Sequence, residues 1–319
     1  MEASVKKPKS PSLLGKFAQR GTSMRTLGFP PELEAPVFLW TDDARLKAHP
    51  RYGEAKAGDL YAAIELVHGI ANELAHKVMQ AGKNGNWPRP LIFVAPHARE
   101  ARGDNAIPQV VASVLDALIN AAFLLQYKSN GAGGVDVGIV QTTKVYHTGA
   151  DAMERLIARA AFQGPVYRGG NYVLVDDVTT LGGTLCDLSD HIRRGGGNVV
   201  AAVVLVNASR SGRLAAAPKT VRRLEEKFGH VIRKTFHIEP SALTADEAQY
   251  LIGFRTAEEI RGRRAKAKQT TDLRLRSKGI YITSEGATVR QGLASGRRRV
   301  KFSGAGVYST GRWIKQSRR

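Results

Sequence analysis

The chain has 319 residues and is 43% hydrophobic, so it can bury a full core, which excludes a wholly disordered protein. Its 48 basic and 28 acidic residues give a formal net charge of +20, which favours contact with polyanions. The single cysteine, Cys186, excludes a disulfide framework and a multi-cysteine zinc ribbon.

Apolar residues recur with helical or strand spacing and divide the chain into alternating elements. Fully apolar strands that alternate with helices are typical of an α/β fold with a mainly parallel sheet flanked by helices. Thr244 and Glu247 have the spacing of a capping box, which predicts the start of a helix. In chain order the predicted elements are helix 59–80, strand 90–96, helix 108–127, strand 135–140, helix 150–161, a strand from 172 into two acids, helix 185–194, strand 199–206, helix 221–228, strand 230–237, a helix from 244 and helix 257–276.

The positive charge is concentrated near the C-terminus. Residues 1–87 hold 12 basic and 9 acidic side chains, residues 88–215 hold 12 and 10, and residues 216–319 hold 24 and 9. Residues 1–36 are rich in lysine, serine, proline and glycine and show little apolar periodicity. We therefore divide the chain into a basic flexible arm (1–36), an α/β domain with a helical N-terminal part (37–215) and a basic C-terminal extension (216–319).

Residues 172–184, which read YVLVDDVTTLGGT, hold the main chemical signal. A buried strand runs into Asp176 and Asp177, and Gly182 and Gly183 follow just before a helix. Ligands of parallel sheets bind at the carboxyl ends of the strands, where these acids lie. Glycines allow close approach of the backbone, and a helix start offers unpaired N–H groups to a phosphate. The stretch predicts a phosphate site beside two carboxylates.

Two polar segments elsewhere carry charges suited to the same site. Residues 97–105 follow a predicted strand and contain a histidine and two arginines, which match phosphate oxygens bidentately, although an exposed charged turn would look the same. Residues 141–149 precede a helix and contain Lys144, which is expected to reach into the site if the segment closes over it, or else to face solvent.

Residues 173–184 resemble the phosphoribosyl pyrophosphate (PRPP) signature of type I phosphoribosyltransferases. The resemblance extends to residues 96–106, where Arg102, Gly103, Asp104 and Asn105 are similar to an R-G-x-N element of the ComF-type (competence-associated) branch, and it covers about residues 90–208. The chain departs from the family at Leu181, where a small or hydroxylated residue is usual, and it lacks the zinc-ribbon cysteines that often precede ComF-type domains.

This resemblance implies a type I phosphoribosyltransferase fold and a role for each matching residue. The adjacent acids are the implied catalytic residues, which contact the ribose hydroxyls, and Mg²⁺ bound to PRPP is the implied cofactor near them. Residues 141–149 match the mobile hood of the family. The implied site residues are Asp176 and Asp177 for the ribose, Thr180, Leu181, Gly182, Gly183 and Thr184 for the 5′-phosphate, and His97, Arg99, Arg102 and Lys144 for pyrophosphate.

Two functions fit these patterns. The first is an enzyme that transfers phosphoribose between pyrophosphate and a nucleobase-like acceptor. The second is a PRPP- or nucleotide-sensing protein that binds DNA or RNA through residues 255–319. Paired acids at a strand end also occur in receiver and phosphatase folds, but the glycine loop after them favours PRPP. A P-loop is excluded because no Gly-Lys-Thr/Ser follows the strand.

The remaining expectations concern cellular setting and assembly. No stretch reaches about 18 apolar residues, and the N-terminus has lysines but no apolar signal core. We therefore expect a soluble cytoplasmic protein with no membrane partner. The sequence leaves the oligomeric state open, a homodimer being one option, and it does not identify the acceptor.

Overall fold

A parallel sheet of five strands forms the centre of the molecule in a computed structural model. The structure describes residues 23–96, 99–100, 103–120, 134–136, 138–145, 147, 149–277, 280–282 and 288–290. The sheet strands are β1 (Val37–Trp40), β2 (Leu91–Val94), β5 (Gly134–Asp136), β8 (Asn171–Thr179) and β9 (Asn198–Asn207). Their order in the sheet is β1-β9-β8-β2-β5, and every neighbouring pair is parallel.

Short antiparallel pairs and helices complete the described part of the chain. The short strands are β3 (Arg99–Glu100) with β4 (Gly103–Asp104), β6 (Val140–Gln141) with β7 (Phe162–Gln163), and β10 (Ile280–Ile282) with β11 (Thr288–Arg290). The helices are α1 (Ala44–Ala48), α2 (Tyr52–Lys56), α3 (Leu60–His68), α4 (Ala71–Asn84), α5 (Ile107–Leu115), α6 (Ala152–Ile157), α7 (Gly183–Arg194), α8 (Pro218–Phe236), α9 (Ala245–Ile252) and α10 (Ala257–Arg276).

Three apolar clusters hold these layers together. One face of the sheet packs against α3, α4 and α5 in a core that includes Leu66, Leu74 and Val111. The other face packs against α7, with Leu188 and Ile192 buried against the sheet. A third cluster joins α6 to α8, α9 and α10. The predicted α/β fold, with its mainly parallel sheet and flanking helices, is confirmed.

Several predicted boundaries differ from the structure. The single helix predicted over 59–80 is two helices, because α3 ends at His68, with Gly69 as its C-cap, and α4 begins at Ala71. The helix predicted from 108 becomes a π-helical turn at Asp116–Asn120, and residues 121–127 lie outside the described residues. The strand predicted over 230–237 is wrong. Residues 218–236 form one helix, whose apolar residues at 228, 231 and 232 face the third core.

The N-terminal segment is packed from residue 23 onward, which departs from the flexible arm predicted for residues 1–36. Phe29 and Leu33 belong to the core on the α7 face of the sheet, and the side chain of Arg25 is fully buried. The backbone of Arg25 bonds to both sides of Ile238: its N–H donates to the His237 carbonyl, and its carbonyl accepts from the Glu239 N–H. Residues 1–22 lie outside the described residues.

The C-terminal region folds onto the sheet domain as helices α8 to α10. The capping box predicted at residues 244 and 247 is confirmed, with Thr244 as the N-cap of α9. The helix predicted over 257–276 is confirmed as α10. Across the described ranges no helix has both the length and the apolar content needed to cross a bilayer.

Candidate active site

The carboxyl end of β8 opens into a cavity of about 250 Å³. Strand β8 lies in the middle of the sheet, and it extends past the end of β2: its pairing with β2 stops at Leu174, whereas its pairing with β9 continues to Thr179. Asp176 and Asp177 are nearly buried there and line the cavity. The Asp177 backbone N–H donates to Asp176 Oδ1 over 2.9 Å, which holds the Asp176 carboxylate against the main chain.

The two acids differ in their electrostatic environment. Burial and the adjacent charge of Asp177 raise the pKa of Asp176 well above its ordinary value. Burial alone would also raise the pKa of Asp177, but the ammonium of Lys56 and the amide of Asn105 lower it. Lys56 Nζ lies 2.7 Å from Asp177 Oδ2. Asp177 is therefore the ionised member of the pair, and Asp176 the one that retains a proton more readily.

The loop after β8 turns directly into α7 and lines the same cavity. Gly182 is the N-cap of α7 and has φ of 76°, a left-handed conformation that favours glycine. The first backbone N–H groups of α7 have no acceptor within the helix, and the positive end of its dipole lies at this loop. All five residues predicted for phosphate binding line the cavity: Thr180, Leu181, Gly182, Gly183 and Thr184.

Residues 106–242 match the family model of the phosphoribosyl transferase domain. This part of the chain is a phosphoribosyltransferase domain. The match confirms the family predicted from residues 173–184.

Two bacterial proteins show similarity to this domain and its surroundings. The chain is 32% identical to protein TraN of Escherichia coli over 231 residues, which cover 71% of this chain and 48% of TraN. It is 34% identical to an uncharacterized protein of Haemophilus influenzae over 146 residues, which cover 46% of this chain and 29% of that protein. The chain thus spans about half, or less, of the length of these relatives.

A buried polar network lies directly behind residues 180–184, which we name the phosphate loop after their predicted role. Arg25 Nε donates to Asp187 Oδ1 over 2.8 Å, and Arg25 Nη1 donates to Glu247 Oε2 over 2.6 Å. Arg159 Nη2 contacts the same Asp187 oxygen at 2.5 Å. Burial alone would lower the pKa of Arg25, yet Asp187 and Glu247 raise it well above its ordinary value. The network thus pairs two cations with two carboxylates in a water-poor region.

The predicted pyrophosphate residues are only partly described. His97 and Arg102 lie outside the described residues, and Arg99 is described through its backbone alone, in β3. Lys144 is exposed, and the cavity lining in the described part of the chain does not include it. The segment predicted to be a hood, residues 141–149, contributes Val145, His147 and Gly149 to that lining.

Sequence reasoning missed several residues that line the cavity. Tyr52 and Lys56 come from α2, outside the matched residues 106–242, and Arg155 comes from α6. Helix α2 is joined to the start of α5 beside the site, where the Ala106 N–H donates to the Ala55 carbonyl over 3.1 Å. No spacing in the sequence signals Lys56, since its partner Asp177 is 121 residues away.

Substituting Gly183 tests how tightly α9 packs on the phosphate loop. A Cβ at this position would lie 2.9 Å from Glu247 Oε1. Because Arg25 holds that carboxylate through two hydrogen bonds, it cannot move away freely. We expect Gly183→Ala to lower the free energy of unfolding by about 1–3 kcal/mol in urea titrations.

Gly262→Ala is the matched control for this prediction. Gly262 lies within α10, and a Cβ there would meet nothing within 4 Å. This control is expected to stabilise the protein by roughly 0.5–1 kcal/mol, since alanine is the better helix former. Equal urea midpoints for the two variants would contradict the tight contact at Gly183.

Proposed function

We propose that the chain is a PRPP-dependent phosphoribosyltransferase, which transfers phosphoribose between pyrophosphate and a nucleobase-like acceptor. One observation carries the proposal. The adjacent acids of β8 and the glycine loop of α7 line a single cavity at the carboxyl end of the sheet, where a phosphoribosyltransferase domain matches. The ribose hydroxyls and the 5′-phosphate of PRPP belong to one sugar, so both binding groups are needed in one cavity.

The side chains suit the charges that develop in this reaction. The bond from C1′ to the pyrophosphate oxygen breaks, and pyrophosphate takes the electron pair. The acceptor nitrogen bonds to C1′ and loses its proton to water. Positive charge builds up on the ribose, and the ionised Asp177 places a fixed negative charge beside it. Asp176 and Asp177 together accept hydrogen bonds from the ribose hydroxyls.

Positive groups in the cavity suit the leaving pyrophosphate. Lys56 and Arg155 both line the cavity, and the predicted loop with His97, Arg99 and Arg102 follows β2, the strand beside β8. Lys144 is exposed, so its predicted contact with pyrophosphate would require the 141–149 segment to close over the cavity. Guanidinium and ammonium groups neutralise phosphate oxygens in sites of this kind.

Mg²⁺ is the cofactor that we propose. The site offers the carboxylate oxygens of Asp176 and Asp177, and the described residues contain no cluster of three or more His, Cys, Asp or Glu suited to a metal. This set fits Mg²⁺, which proteins bind through one or two carboxylates together with substrate phosphates. When bound, the ion supplies charge neutralisation on the pyrophosphate oxygens.

Calorimetry with PRPP in the presence of Mg²⁺ tests the proposal. We expect saturable binding of one PRPP per chain, weakened when Mg²⁺ is removed with a chelator. A second assay then measures pyrophosphate release with each of a panel of purine and pyrimidine bases. No PRPP binding would reject the proposal, and binding without pyrophosphate release for any base would favour a sensor over an enzyme.

The second candidate function, a PRPP- or nucleotide-sensing protein that binds nucleic acid, is favoured by one feature of α10. Its exposed residues include Arg261, Lys266, Lys268 and Arg276. Basic side chains along one helix are typical of a surface that contacts phosphates.

Substitution tests this candidate better than truncation, because α10 also packs against α6 through Arg263 and Arg274. Replacing Lys266, Lys268 and Arg276 with glutamine is expected to weaken binding to a DNA or RNA oligonucleotide and to reduce its salt dependence. Unchanged affinity across a salt series would reject contact through α10.

A further inference from the structure

The phosphate loop is held by residues that lie outside the matched domain residues 106–242. Thr244 Oγ1 donates to the Leu181 carbonyl oxygen over 2.6 Å. Arg25 Nη2 donates to the Gly183 carbonyl oxygen over 3.4 Å, which is a weaker contact. Thr244 lies just after the matched residues and Arg25 lies far before them. Two carbonyl groups of the loop are therefore anchored from segments that the family match does not include.

Anchoring these carbonyls determines where the loop's N–H groups point. A trans peptide unit is planar, and its C=O and N–H groups point in opposite directions. The Leu181 carbonyl shares its peptide unit with the Gly182 N–H, and the Gly183 carbonyl shares its unit with the Thr184 N–H. Holding each carbonyl behind the loop therefore directs the following N–H to the other side of the backbone, where an anion in the cavity would accept it.

Leu181 makes the hydrogen bond from Thr244 to the loop more important. A hydroxylated residue at this position could contact a phosphate directly, and leucine cannot. The loop then depends on its backbone N–H groups and on the hydroxyls of Thr180 and Thr184. Gly182, with φ of 76°, does not hold the loop conformation by a side chain of its own. The hydroxyl of Thr244 supplies a restraint that the loop sequence lacks.

We propose that Thr244 is a positioning residue for the 5′-phosphate site, through its hydrogen bond to Leu181. The ligand class is a sugar 5-phosphate, so this inference rests on the proposed function. The N-terminus of helix α9 thereby contributes to the 5′-phosphate site, although none of the residues of α9 lies within the matched domain. Glu247, on the same helix, lines the cavity and contacts Arg25, which keeps α9 seated against the loop.

Thr244 also caps a helix, and the experiment must separate this role from its hydrogen bond to Leu181. Its Oγ1 accepts from the Glu247 N–H over 3.1 Å and so caps α9. Thr256 has the same capping role on α10, where its Oγ1 accepts from the Glu259 N–H over 3.2 Å. Thr256 is not among the cavity residues in the described part of the chain. Thr256→Val therefore removes a helix cap alone, whereas Thr244→Val removes a cap and the bond to Leu181.

The test uses the full chain and calorimetry with ribose 5-phosphate and, separately, with pyrophosphate and Mg²⁺. We expect Thr244→Val to weaken ribose 5-phosphate binding about tenfold, the effect of losing roughly one hydrogen bond, and to leave pyrophosphate binding unchanged. Thr244→Ser keeps the hydroxyl and is expected to bind like wild type. Thr256→Val is expected to bind both ligands like wild type.

Amide NMR chemical shifts give a readout that needs no ligand. The Gly182 amide resonance is expected to move in Thr244→Val, because the Leu181 carbonyl of the same peptide unit loses its hydrogen-bond donor, and to stay in place in Thr256→Val. Wild-type binding of ribose 5-phosphate by Thr244→Val, or an equal loss of pyrophosphate binding, would overturn the positioning role alone. No binding of PRPP or ribose 5-phosphate by wild type would instead reject the proposed function and this inference with it.

Discussion

Replacing Asp177 with asparagine is expected to weaken PRPP binding by about 10-fold to 100-fold. A hydrogen bond to a charged acceptor contributes about 1.5–3 kcal/mol, and each 1.4 kcal/mol corresponds to about a factor of ten in affinity. The substitution keeps the shape of the side chain but removes the negative charge that Lys56 faces at 2.7 Å. Calorimetry at fixed Mg²⁺ measures the change, and pyrophosphate release is expected to fall further because the charge also stabilises the transition state.

Asp272→Asn is the matched control for Asp177→Asn. Asp272 is exposed on α10, so its substitution removes the same charge without touching the cavity. The control is expected to bind PRPP like wild type. If Asp177→Asn binds PRPP as tightly as this control does, the acid pair does not hold the ribose.

Replacing Arg25 with methionine is expected to lower the free energy of unfolding by about 3–5 kcal/mol. The side chain of Arg25 is fully buried and lies between Asp187 and Glu247, which are buried as well. Arg159 still contacts Asp187 in the variant, but the charge of Glu247 loses its contacts with the two Arg25 amino groups. Methionine fills much of the space of the arginine side chain, so the loss of stability comes mainly from the removed charge and its hydrogen bonds. Urea unfolding followed by tryptophan fluorescence gives the measurement.

Arg261→Met provides the comparison on the surface. Arg261 pairs with Glu258 on α10, and both side chains are exposed. A surface pair contributes between about 0 and 1 kcal/mol, so this variant is expected to unfold near the wild-type midpoint. A loss for Arg25→Met no larger than the loss for Arg261→Met would show that the buried network adds nothing to stability.

Local patterns in the sequence were enough to place the central strand and the phosphate loop. Strand β8 is a continuous apolar run, and its acids, glycines and following helix are adjacent in the chain, so their chemistry can be read without knowing the fold. The same applies to the cap of α9, whose two partners are three residues apart. Features whose parts are close in the chain were predicted well.

Features that depend on distant partners were not predicted. Lys56 looks like any charged helix residue until the fold brings it to Asp177, and Arg25 looks like part of a basic tail until it is seen to be buried. The error over residues 230–237 has another cause. Its short apolar run fits a strand locally, but the spacing of residues 228, 231 and 232 continues the period of α8. The segment is helical because these apolar residues lie on one face of α8, and that face packs into the third apolar cluster.

The contact between Arg25 and Glu247 spans 222 positions of the chain, and this has a consequence for how the protein is made. During synthesis the sheet and α7 can pack before Glu247 has been translated. A chain at that stage would contain the sheet domain but would lack the α9 residues that contact Arg25 behind the phosphate loop. Long-range contacts of this kind form late, because the entropy of closing the long intervening loop must be overcome first. The loop before α7 therefore gains its contacts with α9 only after the chain has been translated through Glu247.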